Sequence, residues 1–566
     1  MIAFTSLVSS IKLRLGLNEL FMDLKNHLHS ALIIEQQPLA QSHLKYSLTN
    51  IGFDNVDIVD RSYLALRALK TNRYDLIICA SDLSKGADGY QLYEQIVAEG
   101  LLLPSMTFIY LSSENDLASS QSVIELNPDD VILKPFTTQN IEKRLIRSLS
   151  KKIAIKDVLL KLDQYDYKAA NLKLNNHISN NKNPLKIPYL MKMKGDIILS
   201  LQHWDSGERF FSKVISIHPH PWALLGLTEC QIHLEKTEEA LTSIEQLFNQ
   251  PQTKLAALDH LSVINQRLHD FDKALVVLKQ ATEISPRNIN RLKELVSVAR
   301  LTHDYECQHE ASNHIIRNSK FSIHDSPQIY LSAVRSAIDL GLTSFEEEDV
   351  LRLIHSSQSI LGSIKGSFKS DAITSQIDVV QARLFNLKNE KAKAKELLSN
   401  SIKRVEHQKI YIDETNQDDV LDLAKAFHEL GLHKLSHILF NELAEYCQSP
   451  EASSLFSQYI AVEKSLRNDI KESPKELNNK AVSFFEAGHL DDALKAFDSA
   501  FKVMPKSSTI ALNLMQTLIE SNLNIEHHEL KTIIIRCKKT ILQSELTEAQ
   551  TLRFEKLNEM LEQQYL

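Results

Sequence analysis

The sequence predicts an α/β domain on five parallel strands, followed by an all-α helical repeat domain. Three observations point there. Short β-branched runs alternate with helical patterns up to residue 150 and then vanish. Self-similarity at about 34 residues takes their place. Glycine (13) and proline (14) are scarce over 566 residues, which disfavours sandwiches, barrels and flexible linkers and favours long helices.

A chain of this length exceeds one core, so two or more domains are expected. Residues 1–28 read as an amphipathic extension, 29–150 as the α/β domain and 151–566 as the helical domain. Net charge is −8, pI is about 6.3, and no lysine–arginine block stands out, so nothing suggests nucleic-acid affinity. Five cysteines lie far apart without a CxxC pair, which fits a reducing compartment better than a disulfide framework. No apolar run approaches the roughly 18 residues of a membrane span. The first residues lack the pattern of a secretory leader. A cytoplasmic protein is expected.

Each α/β element has its own signal. "ALIIE" (31–35), "NVDIVD" (55–60), "DLIICA" (75–80), "MTFIYLS" (106–112) and "DVILKP" (130–135) read as buried strands. Between them lie "PLAQSHLKYSLTNIG", "SYLALRALKT", "GYQLYEQIVAEG" and a stretch from Leu117 to Leu126, with a last helix over Gln139–Ser150. Strict alternation implies a parallel sheet wrapped on both faces, with its functional groups at the carboxyl ends of the strands. At those ends stand Glu35-Gln36, Ala80, Ser112 and Lys134-Pro135.

This order resembles the receiver domain of bacterial response regulators, a flavodoxin-like fold. The resemblance implies an acidic pair after strand one, a phosphoacceptor aspartate after strand three, a Ser or Thr after strand four and a Lys-Pro after strand five. The carboxylates would hold Mg²⁺ and the lysine would neutralise phosphoryl oxygens. Ser112 and Lys134 fit their slots. Glu35 keeps one carboxylate, but Gln36 is neutral. Counting from Asp75 puts Ala80 at the acceptor position. Counting back from Asp88-Gly89 gives Ser81 or, with a longer loop, Ala80. Neither is a carboxylate. Val131 stands where the family has its switch aromatic.

Phosphotransfer is therefore expected to be lost, and no cofactor is expected. An alternative stays open: Asp82 as a displaced acceptor, with weak Mg²⁺ binding if Glu35 and Asp82 cooperate. Ser112 and Lys134 also have a plain structural reading, the lysine as a bridge to Glu35.

Beyond residue 150, helix-B markers recur. Gly207, Ala240 and Ala274 are followed by Phe211, Ile244 and Leu278, with Ala281 beyond, and the units close at Pro219, Pro251 and Pro286. Ala493, Phe497, Ala500 and Pro505 repeat the pattern. Gly195 and Ala481 mark helix A. These units resemble tetratricopeptide repeats, in which a small residue lets two helices cross and a large one fills the gap between units. The clearest lie at 188–288, 375–408, 417–447 and 474–507; 289–320 matches weakly, 321–372 reads as helices of irregular length, 151–187 as an imperfect opening unit and 508–566 as closing helices. The resemblance implies a groove that binds another protein. Val263 and Val482 stand where a carboxylate-gripping asparagine is expected, so an apolar or mixed groove is expected instead.

Other patterns carry less. "HEASNH" (309–314) and "HELGLH" (428–433) have one residue too many for a zinc HExxH pair, whose rings must share a helix face. His303, Cys307 and His314 do not share one helix. Trp204, Trp222 and the phenylalanines read as repeat core, and "EEED" (346–349) as a solvated helix start. There is no P-loop, GxGxxG or serine elbow. The sequence thus predicts a non-enzymatic signalling adaptor with a receiver that cannot be charged and a protein-binding repeat array. A phosphorylation-responsive regulator using Asp82 is the alternative. The receiver's side built from its last two helices and its fifth strand is expected to dock a partner or the chain's own repeats.

Overall fold

The computed structural model describes residues 29–83, 86–113, 117–181, 186–250, 252–368, 371–472, 474–521, 528–544 and 546–565. The extension at 1–28 and Pro251 lie outside the described residues. The chain divides into two compact units: one holds the described residues up to Arg291 with Asn318–Asp325, the other Leu292–Arg317 with Ser326 onward.

In the first unit, β1 (Ser30–Ile34), β2 (Asn55–Val59), β3 (Leu76–Ala80), β4 (Thr107–Ser113) and β5 (Asp130–Lys134) form one parallel sheet in the order β2-β1-β3-β4-β5. The connecting helices are α1 (Pro38–Ile51), α2 (Ser62–Thr71), α3 (Gly89–Ala98) and α4 (Leu117–Glu125), and α5 (Thr138–Ile153) follows β5. Alternation along the strands splits the core in two. Ile33, Ile78, Leu111 and Ile132 pack with Leu44, Leu48, Ile141 and Leu145 of α1 and α5. Leu32, Ile77, Phe108 and Tyr110 pack with Ala65, Leu92, Ile96 and Val123 of α2, α3 and α4.

The unit continues through α6 (Lys156–Leu162), α7 (Tyr167–Asn180), α8 (Ile187–Ser200), α9 (Trp204–Ile217), α10 (Pro221–His233), α11 (Thr237–Phe248), α12 (Lys254–Arg267) and α13 (Phe271–Ile284). The receiver is tied to the first of these, since Asp163 accepts from the backbone and hydroxyl of Ser105 at 2.9 and 2.6 Å. The remaining helices are α14 (Ile289–Leu301), α15 (Tyr305–Ser319), α16 (Pro327–Thr343), α17 (Glu347–Ser367), α18 (Asp371–Leu387), α19 (Lys391–Leu397), α20 (Ser399–His407), α21 (Gln417–Glu429), α22 (His433–Tyr446), α23 (Ser454–Asp469), α24 (Pro474–Glu486), α25 (Leu490–Val503), α26 (Ser508–Glu520), α27 (His528–Gln543) and α28 (Glu548–Tyr565).

One turn recurs between paired helices. Gln202, Glu235, His269 and His303, at spacings of 33, 34 and 34 residues, all adopt positive φ two residues before the second helix begins. Asn389, Gly431 and Gly488 do the same further on. Each turn returns an N–H five residues back, as in Lys236 to Gln231 O (2.9 Å) and His489 to Phe484 O (2.9 Å), the hydrogen bond of a left-handed helix cap. His303 shows the turn inside the weakly matching unit at 289–320. The helices of 321–372, α16 and α17, run 17 and 21 residues, against 13 and 15 for α14 and α15 before them.

Ala240, Ala274, Ala281, Ala481, Ala493 and Ala500 are fully buried. A Cβ on Gly195 or Gly226 would fall 2.7 or 2.4 Å from the Phe211 ring, and one on Gly207 2.6 Å from Cys230 Sγ. Phe211 and Phe497 are buried with them. Pro286 and Pro505 each follow the end of a helix, α13 and α25. No helix among the described residues is long and apolar enough to cross a membrane.

Candidate functional site

Parallel registry gathers the candidate residues. Ile34 pairs with Cys79, so Glu35, next along, lies beside Ala80; Ala80 pairs with Leu111, and Ser113 with Lys134. Residues 33, 35, 78, 80, 132 and 134 alternate onto one face of the sheet. Glu35 is fully buried, and both its carboxylate oxygens are engaged: Oε2 with Lys134 Nζ at 2.6 Å, Oε1 with the Gln37 N–H at 2.9 Å. Gln36 is half-exposed.

At the end of β3 the methyl group of Ala80 is fully buried in the apolar cluster of Ile33, Ile78 and Leu111. Gly89, the first residue of α3, presses on the same spot: a Cβ there would stand 2.0 Å from the Ala80 carbonyl oxygen. The Gly89 N–H donates to Ser81 O at 2.9 Å, and the Ser81 N–H to Leu111 O at 2.8 Å. Ser81 Oγ is buried without a hydrogen-bond partner among the described residues. Burial, with Asp88 and Glu35 nearby, pushes the Cys79 thiol well above its ordinary range.

Ser112 is buried, its hydroxyl 3.4 Å from Ser113 O. Val131 is half-buried against the cluster of Phe108, Tyr110 and Val123. Asp82 is exposed. The geometry thus brings Glu35, Ala80 and Lys134 together and leaves Asp82 on the surface. The expected set of Glu35, Gln36 and Ala80 does not fit Mg²⁺: both Glu35 oxygens are already engaged, and the other two positions offer a neutral amide and a methyl.

The histidine pair at 428 and 433 departs from the expectation of rings held far apart. α21 ends at Glu429, and the turn at Gly431 folds the start of α22 back, leaving the rings 5.0 Å apart. The His428 nitrogens are occupied by Ile470 O (3.1 Å) and Arg467 (3.3 Å). Only part of the expected docking side meets the repeats of the same unit: α4 does, together with the start of α3, while Asp130 of β5 pairs with Arg144 and Arg147 of α5.

A second polar centre lies within the second unit and went unnoticed in the sequence. Arg383, 1% exposed, holds Asp339 (2.8 Å), Asp422 (2.6 Å) and Glu429 (2.6 Å). Lys425 also reaches Asp339 (2.9 Å), and Arg467 pairs with Glu463 (2.8 Å). A cavity of about 510 Å³ opens against this network, lined by Tyr305, Asp339, Lys425, His428, Glu463 and Arg467.

Residues 31–146 are a response regulator receiver domain. The Transcriptional activator protein IrlR of Burkholderia pseudomallei is 25% identical over 182 residues, 31% of this chain and 77% of its own length. The Transcriptional regulatory protein LytR of Staphylococcus aureus is 33% identical over 114 residues, 20% of this chain, so the match spans only 44% of that relative. Among solved structures, a putative response regulator from Chloroflexus aurantiacus aligns at 23% identity and TM-score 0.19, covering 22% of this chain and 98% of that one. A tetratricopeptide repeat protein from Parabacteroides merdae aligns at 14% identity and TM-score 0.27, covering 52% and 98%.

Proposed function

We propose that the chain is a signalling adaptor of two-component type, with a receiver at 29–150 that does not accept phosphate and a repeat domain at 151–566 that binds another protein. One observation carries this reading: the end of β3 presents the buried methyl of Ala80, beside a Glu35 whose oxygens are both engaged. A methyl group cannot attack a phosphoryl group, and without a free carboxylate pair the charge of an incoming phosphate goes unscreened. The adaptor acts by binding, not catalysis, and in the cytoplasm, in keeping with five free cysteines.

The test is intact-protein mass after incubation with Mg²⁺ and acetyl phosphate. No added phosphate is expected. A phosphate mapped to Asp82 would replace this reading with the phosphorylation-responsive one. Affinity capture with the full chain should retain a protein partner. Retention of DNA instead, in line with the names of IrlR and LytR, would overturn the protein-binding role.

A further inference from the structure

Within the first unit the receiver is clasped by the chain's own repeats through charged groups taken out of water. Glu125, at the end of α4, accepts from Ser285 Oγ at 2.6 Å, from Asn288 Nδ2 and from Arg291 Nη2 at 2.6 Å. Arg291 is buried, and Asp259 of α12 takes its Nε and Nη2, each at 2.8 Å. The buried hydroxyls of Ser122 and Ser285 lie 3.1 Å apart.

A second grip closes on the start of α3. Arg287 Nη2 reaches Asp88 Oδ2 at 2.6 Å, and its guanidinium lies 4.3 Å from the Tyr90 ring centroid. Gln91 Nε2 donates to the carbonyls of Asn318 (2.7 Å) and Lys320 (3.1 Å). Asp88 and Gln91 also form the capping box of α3. One helix start is therefore held by β3 through Gly89 and by the repeats through Asp88. The buried guanidinium of Arg291, forked onto Asp259 and matched to Glu125, distinguishes this contact from a surface ion pair, which holds little.

The receiver side is acidic and short of cations of its own here. Burial pushes the Glu94 carboxyl up to about 7; Arg287 opposes this, while Asp88 and Glu125 add to it. Both arginines that answer this acidic face come from residues 287–291.

We propose that the α3–α4 face of the receiver is a docking surface for residues 285–291 and 318–320 of the same chain, which makes the receiver a fixed cap on the first repeats. A competitor for this face has to displace Arg287 and Arg291 and is itself cationic. The proposal goes beyond the adaptor reading and stands whether or not the receiver takes phosphate.

The test uses the full-length chain carrying Ser122→Cys and Ser285→Cys, oxidised with diamide and mapped by peptide mass. A 122–285 disulfide in most molecules is expected, since the two side chains already meet at these positions. Both thiols staying open to alkylation in folded protein would overturn the clasp. In a second arm, Glu125→Lys is followed by hydrogen exchange. Residues 285–291, 318–320 and the first turn of α3 should exchange about tenfold faster or more, with the five strands unchanged. Glu99→Lys, which removes surface contacts with Lys70 and Gln95, serves as the control. Unchanged exchange in Glu125→Lys would equally sink the proposal. Neither arm reads phosphate, so failure here is separable from failure of the adaptor reading.

Discussion

Lys134 Nζ lies 2.6 Å from Glu35 Oε2, and the carboxylate it meets is fully buried. The pair bridges β5 to the end of β1 across the two strands between them. Removing the cation leaves a buried charge with one backbone N–H for company. Lys134→Ala should therefore destabilise the receiver by roughly 3 kcal/mol, at the low end for a buried pair because the lysine keeps some exposure. Adding Glu35→Gln to Lys134→Met should recover most of that loss. Hydrogen exchange in β1 and β5 reads both outcomes.

Much of the receiver was legible because its code is local. β-branched runs, strand spacing and Lys134-Pro135 follow period and turn chemistry. The candidate pocket was legible too, since parallel registry brings strand ends together whatever lies between. The clasp was not. Glu125 and Arg291 sit on helices whose apolar faces explain their formation and Arg287 in the turn between two of them, and nothing in helical periodicity says which solvent-side charges will meet. Arg383 escaped notice for the same reason: one charge among apolar neighbours reads as a surface residue until tertiary packing buries it.

Glu94 makes the first unit sensitive to pH. Burial raises its carboxyl to about 7, from an ordinary 4.5. A carboxyl raised in the folded state binds protons that the unfolded chain releases, so stability falls as pH rises from about 4.5 to about 7 and is level above. Glu94→Gln should remove this slope, leaving stability near pH 5 little changed and raising it at pH 8. Unfolding of the full chain by urea at the two pH values, followed by exchange in α3, checks the sign.

Phe211 fills the space that three glycines leave open. The Cβ of an alanine at 226 would lie 2.4 Å from its ring, and one at 195 would lie 2.7 Å away. Gly226→Ala should cost about 1–3 kcal/mol through overpacking, despite the better helix propensity of alanine. Phe211→Leu alone should also destabilise by removing buried ring contacts. The double variant should be less damaged than the sum of the two, because the smaller side chain vacates the space the methyl needs. A double-mutant cycle by thermal unfolding measures that coupling; strict additivity would refute the steric account.

Acid should dismantle the second unit in two stages. Burial alone pushes carboxyls up, yet here cations outweigh it: Arg467 and Lys425 hold Glu463 at about 2, and Lys425 and Arg383 hold Asp339 well below the usual range. His428 is held at about 4, by burial first and then by the Arg467 charge. For each group the unfolded chain takes up protons before the folded one, so stability falls as pH falls. His428 acts between its ordinary 6.5 and about 4, the carboxylates from about 4.5 downward. Glu463 alone contributes on the order of 3 kcal/mol across its window. His428→Gln should flatten the upper stage and leave the lower. Glu463→Gln should shrink the lower stage while lowering stability at neutral pH, because Arg467 then stands without its carboxylate. Melting temperature against pH for the wild type and both variants resolves the stages, and an unchanged upper stage in His428→Gln would remove the histidine from the account.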